Sequence, residues 1–204
     1  MIRHKQSRTC IAAVKDKRGR IVMAADRRAS WDFSQAQAMP RPKIQKRNGL
    51  LLAGTGDGYL CTLIVDLLHV PVNEVEDPDT YMHWTLLKEV NKLLKAKGFV
   101  DQHNQLRIPA DSGVEVLIAC SGRLYTLTID NPEPYKETPG GLISIDEVSL
   151  PYASGCGGQL AWGSLLTTGL LGTMKAKERL TIALTVAAEV SPGCDANIDI
   201  EIEN

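Results

Sequence analysis

The succession of apolar patterns along the chain constrains its fold more than any single motif does. Short strand-like runs come first, then two helical runs, more strands, two further helical runs and a last strand. Residues 10–14 and 21–25 are apolar and flank a charged turn that contains Gly19, which predicts a hairpin ending at Asp26-Arg27-Arg28. A polar stretch rich in Gln and Ala follows, broken by Pro40 and Pro42. Residues 43–45 and 50–53 then flank the turn-like Arg47-Asn48-Gly49 as a second strand pair. Leu60, Leu63, Ile64, Leu67 and Leu68 have the spacing of one buried helix face. A second helix is expected from Asp79, with Leu86, Leu87, Val90, Leu93 and Leu94 on one side and a stop at Gly98. Residues 114–120 and 124–129 predict another hairpin around Ser121-Gly122-Arg123, and 131–141, with three prolines and two glycines, reads as a loop. Helical spacing returns over 160–171 and 178–190. Finally Ile198, Ile200 and Ile202 alternate with Asp199, Glu201 and Glu203, as in a strand with one wet face at a sheet edge. This order does not suit a doubly wound sheet; it predicts a layered α/β domain whose helix pairs cover a mainly antiparallel, two-sheet core.

Composition enters as a set of exclusions. The 204 residues carry 23 Lys+Arg against 24 Asp+Glu, a net charge of −1, which argues against a nucleic-acid or membrane-surface protein held by bulk electrostatics. No apolar run reaches the roughly 18 residues that a membrane-spanning helix needs. The basic start, Met1 to Arg8, has no apolar segment behind it of signal-peptide length, so export is not expected. Five cysteines without a CxxC pair fit a reducing compartment and no zinc site, and the chain is expected to be cytoplasmic. No linker, internal repeat or low-complexity tract divides it.

Most candidate chemistry falls away on inspection. Gly54-Thr55-Gly56-Asp57-Gly58 lies between a strand and a helix, but lacks the spacing of a dinucleotide fingerprint and the Gly-Lys-Ser/Thr ending of a P-loop. The histidines at 4, 69, 83 and 103 form no metal-ligand pair, and there is no G-x-S-x-G elbow for a serine hydrolase. Cys156, between glycines, reads either as a thiol nucleophile or as a small apolar residue. What remains is Thr9 heading the first strand, Asp26 ending the second and Lys43 opening another. The first hairpin brings Thr9 near Asp26. A threonine with a free α-amine can serve as nucleophile and base together, and a Lys⁺ held by Asp would lower that amine's proton affinity. Physical chemistry alone favours the structural alternative, in which Thr9 is a strand residue and Asp26–Lys43 an ion pair.

Five motifs in register resemble the proteasome β-subunit family, including the bacterial proteasome-like peptidase. They are Thr9-Cys10-Ile11-Ala12-Ala13-Val14, Ile21-Val22-Met23-Ala24-Ala25-Asp26-Arg27-Arg28, Pro42-Lys43-Ile44, Leu52-Ala53-Gly54 and Tyr152-Ala153-Ser154-Gly155-Cys156-Gly157. The resemblance implies an α+β, four-layer α/β/β/α sandwich of the N-terminal nucleophile hydrolase type over residues 9–204, with 1–8 as a leader. It implies Thr9 as the nucleophile, Asp26 and Lys43 as the pair that tunes it, and the Gly54 N–H as an oxyanion donor. Leu52 and Arg28 would line the substrate site, the apolar Leu52 favouring cleavage after apolar residues. It also implies a homo-oligomeric ring or double ring, fed with unfolded polypeptide by an ATP-dependent unfoldase and needing no metal or cofactor.

The chain departs from the family pattern behind the nucleophile. Cys156 replaces the serine of a Gly-Ser-Gly motif, and Ser191 and Cys194 replace an acid and a serine near the last strand. Thiols hydrogen-bond weakly, so proton handling at Thr9 is expected to suffer. Arg8 stands where self-processing members carry glycine, and lacks glycine's backbone freedom. A threonine endopeptidase is therefore expected if residues 1–8 are removed, and a non-catalytic, unprocessed assembly protein if they are not. A small-amide hydrolase is a third reading, with no residue in particular favour.

Overall fold

A computed structural model describes residues 9–31, 35–72, 77–103, 105–108, 112–130 and 142–204, with the backbone alone at 29–31 and 35–38. The expected loop at 131–141 and the expected leader at 1–8 lie outside the described residues.

Two antiparallel sheets form the centre. In the first, β1 (Cys10–Lys15) and β2 (Ile21–Asp26) make the expected hairpin, flanked by β10 (Tyr152–Gly155) beside β1 and β11 (Ile198–Ile202) beside β2. The second runs β5 (Ile44–Arg47), β6 (Leu50–Gly56), β7 (Val114–Cys120), β8 (Arg123–Asp130) and β9 (Leu142–Glu147). Its β5–β6 turn uses positive φ at Asn48 and Gly49, matching the Asn-Gly signal. A separate two-stranded ribbon joins β3 (Arg28–Trp31) to β4 (Gln35–Ala38). The polar Gln/Ala stretch carried no apolar alternation to announce these strands, because backbone pairing in a two-stranded ribbon requires none.

Strand periodicity sorts the side chains into layers. On β1, Cys10, Ala12 and Val14 face α4 (Gly158–Leu171) and α5 (Ala176–Val190), whereas Ile11 and Ala13 face the other sheet. On β6, Leu50 and Leu52 face the opposite helix layer, and Leu51 and Ala53 face the first sheet. The result is a four-layer α/β/β/α sandwich with three apolar interfaces, as expected.

The first helix layer departs from ideal periodicity. After α1 (Gly58–Cys61), the chain continues as a π-helical run, Thr62–Leu67. The wider turn rotates later residues off the buried stripe, so Leu67 is 56% exposed although its spacing predicted burial, while Leu68 is buried just beyond the run. The second helix starts earlier than expected, at α2 (Pro78–Thr80), where the Asp77 carboxylate accepts from the Asp79 and Thr80 N–H groups and Pro78 takes a first-turn position. A π-helical run, Tyr81–Leu86, leads into α3 (Leu87–Ala96), with Leu86, Val90 and Leu94 buried. β11 lies at the sheet edge as predicted. Its isoleucines pack towards the α4–α5 layer, while Asp199 pairs with Arg27 and Glu201 with Lys46.

Candidate active site

Thr9, Asp26 and Lys43 come from three places in the chain, and the hairpin and the second sheet bring them together. Thr9 immediately precedes β1, Asp26 ends β2, and Lys43 immediately precedes β5. Lys43 Nζ donates to Thr9 Oγ1 at 2.9 Å and to Asp26 Oδ1 at 2.8 Å. The Lys43 side chain is 8% exposed and that of Asp26 fully buried, so this ion pair lies in a low-dielectric setting where it is strongly felt.

Backbone donors complete the carboxylate's shell. Asp26 Oδ1 also accepts from the Cys10 N–H at 3.0 Å, and Oδ2 accepts from the Asp195 N–H at 3.2 Å and the Arg28 N–H at 3.4 Å. Burial pushes the Asp26 carboxyl above its ordinary value, against the opposing pull of the Lys43 ammonium and these N–H groups. Nothing in the sequence signalled the Asp195 contact, because it uses the backbone and spans most of the chain. Asp195 N–H reaches the site because the turn after α5 folds back before β11.

Gly54 lies on β6 opposite Val116. A Cβ there would meet Cys61 Sγ at 3.0 Å and Val65 at 3.3 Å, so its missing side chain makes room for α1 to approach. Cys61 in turn feels the charge of Lys43; its thiol is raised to about 12, chiefly by burial. Leu52 is fully buried on the helix side of β6, among the apolar residues that also hold Leu60, Leu63 and Ile64. Arg28 Nη1 donates to the Cys194 carbonyl at 3.4 Å, and its buried Nε has no hydrogen-bond partner among the described residues.

Behind Thr9, the three departures from the family pattern gather into one cluster. Cys156 Sγ donates to the Thr9 carbonyl at 3.5 Å, lies 3.7 Å from Cys194 Sγ and accepts from Ser191 Oγ at 3.6 Å. The close approach depends on glycine. Gly155 has φ +90°, and a Cβ there would lie 2.0 Å from the Thr9 carbonyl oxygen. Ser154 Oγ donates to Glu115 at 2.5 Å and lies 3.5 Å from Thr55 Oγ1, a polar link between the sheets that the motif reading did not pick out.

No protein-family model matches the sequence, and no curated protein matches it. Solved structures do. BPH of Thiobacillus denitrificans has TM-score 0.68 and 18% identity, covering 95% of this chain and 96% of that one; it was also solved in complex with epoxomicin. Eukaryotic HslV from Trypanosoma brucei has TM-score 0.58 and 16% identity, covering 95% and 98%. Anbu, an ancestral β-subunit from Yersinia bercovieri, has TM-score 0.57 and 14% identity, covering 95% and 80%. The fold is that of the proteasome-like peptidases.

Proposed function

We propose that this chain is a threonine endopeptidase subunit of the proteasome-like class, with Thr9 as its nucleophile after removal of residues 1–8. The observation that carries the reading is the single Lys43 ammonium bonded to both Thr9 Oγ1 and Asp26 Oδ1. A structural ion pair alone would have no need of the threonine hydroxyl.

In this reading the Thr9 hydroxyl attacks a peptide carbonyl while the freed α-amine takes its proton. Lys43, positioned by Asp26, stabilises the developing alkoxide through the hydrogen bond it already makes. The Gly54 N–H donates to the tetrahedral oxyanion. Collapse forms the Thr9 ester and breaks the C–N bond, and the protonated amine returns its proton to the leaving peptide. Water, deprotonated by the same amine, then hydrolyses the ester. Arg28, partly exposed just past Asp26, offers its guanidinium as a contact for substrate carbonyl or carboxylate groups.

Assembly is part of the proposal: identical subunits form a ring or double ring in the cytoplasm, supplied with unfolded polypeptide by an ATP-dependent unfoldase. The outward faces of α4 and α5 support self-association, because Trp162, Leu166 and Leu170 on one and Ile182, Val186 and Val190 on the other are exposed apolar stripes at helical spacing. The second reading, a non-catalytic assembly protein, is favoured by the Cys156–Ser191–Cys194 cluster, where weaker hydrogen-bonding groups stand behind the nucleophile.

Intact mass of the native assembly, combined with peptide turnover, separates the two. The peptidase reading expects a chain beginning at Thr9, labelling of Thr9 by a threonine-directed electrophile, and loss of all cleavage in Thr9→Ala with assembly retained. Epoxomicin, held by one BPH structure, is a ligand to try. A full-length native chain that resists labelling, or turnover retained in Thr9→Ala, sinks the mechanism.

A further inference from the structure

The cysteines behind Thr9 are not used by the mechanism above. Cys156 Sγ and Cys194 Sγ lie 3.7 Å apart; Cys156 is exposed, whereas Cys194 is buried at 4% exposure. Gly157 clears the approach, since a Cβ at that position would sit 2.5 Å from Cys194 Sγ. The Cys194 side chain and burial push the Cys156 thiol above its ordinary value, against the smaller opposing pull of the Ser191 hydroxyl that donates to Cys156 Sγ, so exchange is expected to quicken as pH rises. One thiol is thus open to solvent, and the second waits behind it.

We propose that Cys156 and Cys194 form a redox-active pair that takes up a small disulfide of the glutathione class and closes to an intramolecular disulfide. The Cys156 thiolate attacks one sulfur of the oxidised ligand, forming a mixed disulfide and expelling one thiolate. The Cys194 thiolate then attacks Cys156 Sγ, forming the protein disulfide and expelling the second. The two protons lost by the cysteines are taken by the two departing thiolates, so the ligand is reduced by two electrons and the protein oxidised by two. The sulfurs close from 3.7 Å to the bonded distance of about 2.05 Å. Cys10 packs in the same cluster as Cys194, but it is fully buried, which leaves Cys156 as the entry point.

Closure acts on the site from two directions. It removes the S–H that donates to the Thr9 carbonyl, and it ties the turn before α4 to the turn after α5. In that second turn, Cys194 O receives Arg28 and the Asp195 N–H holds Asp26. The consequence for peptide turnover rests on the peptidase reading; the disulfide itself does not.

The test uses the full chain in glutathione buffers of rising oxidised fraction, quenched with acid, alkylated and mapped by peptide mass spectrometry. Two of the five cysteines should become refractory to alkylation and appear as one Cys156–Cys194 cross-linked peptide, reversed by excess reduced glutathione. The Cys194→Ser variant should halt at a glutathione adduct on Cys156. Retention of all five free thiols, a persistent unresolved adduct on wild-type Cys156, or a cross-link through Cys10 each overturns the proposal. Because the readout is a covalent map of the wild-type chain, it is unaffected by whether the protein cleaves peptides or a variant folds.

Discussion

At Lys43 one ammonium serves two oxygens, and that sharing makes the side chain costly to replace. In Lys43→Met the Asp26 carboxyl keeps its burial and loses its counter-ion, so urea denaturation should show a loss of about 3–5 kcal/mol. Lys43→Arg retains the charge but not the compact geometry, and should fold while losing turnover. Protonation of Asp26 has a related consequence. Burial raises its folded-state value above 3.8, so turnover that needs the Asp26–Lys43 pair should fall away on acidification above the ordinary aspartate range. The stability term has the opposite sense: the folded chain binds this proton more readily than the unfolded chain. Asp26 therefore favours folding below its unfolded value, and that contribution is lost as pH rises through the folded value. A pH–rate profile with its acid limb at the ordinary aspartate value would contradict this account. Gly155→Ala tests the backbone: a left-handed residue with a Cβ driven against the Thr9 carbonyl should lower stability by at least about 1–3 kcal/mol and displace Thr9.

Elements are locked together by buried acceptors rather than by apolar contact alone. Glu203, just past β11, is 5% exposed. Its carboxylate accepts from the Ile21 N–H at 3.1 Å and from the Gly122 N–H, the nearer oxygen at 2.9 Å. One side chain thereby ties β2 and the end of β11, in one sheet, to the β7–β8 turn of the other. Glu203→Ala would leave the buried Ile21 N–H unpaired at about 1–3 kcal/mol and the part-buried Gly122 N–H at less, a loss readable as a lower denaturation midpoint with the slope unchanged. Glu203 lies far along the chain from both partners, and the alternating isoleucines of β11 gave no sign of its role. A second lock joins α2 to β8, where Arg123 bridges Asp79 and Glu147 while Tyr125 OH donates to Asp79. Being only half-buried, it is expected to orient the helix rather than add much stability.

For the whole molecule, the exposed apolar faces of α4 and α5 set the balance between a lone subunit and an assembly. Leu170 is 90% exposed and continues the Trp162–Leu166 stripe on α4, which an isolated monomer would present to water. Leu166→Lys combined with Leu170→Lys should lower the native particle mass by light scattering while leaving the circular dichroism of the subunit intact. An unchanged particle mass would remove this face from the assembly. Among the described residues no helix is long and apolar enough to cross a membrane.

Local periodicity determined most of the fold from the sequence. Alternation in β1, β2, β6 and β7 and helical spacing in α3, α4 and α5 are properties of neighbouring residues, and the order of these elements already dictated layers. The predicted hairpin also placed Thr9 near Asp26, whereas the roles given to Thr9, Asp26 and Lys43 came from the family resemblance and not from periodicity. Only the tertiary structure decided what surrounds them. The Asp195 N–H on Asp26, the Glu203 clamp between sheets and the meeting of Cys156, Ser191 and Cys194 arise where distant turns converge, and no local pattern encodes such convergence. Leu67 makes the same point in reverse: a widened helical turn, set by how that helix seats on the sheet, overrode a spacing that by itself predicted burial.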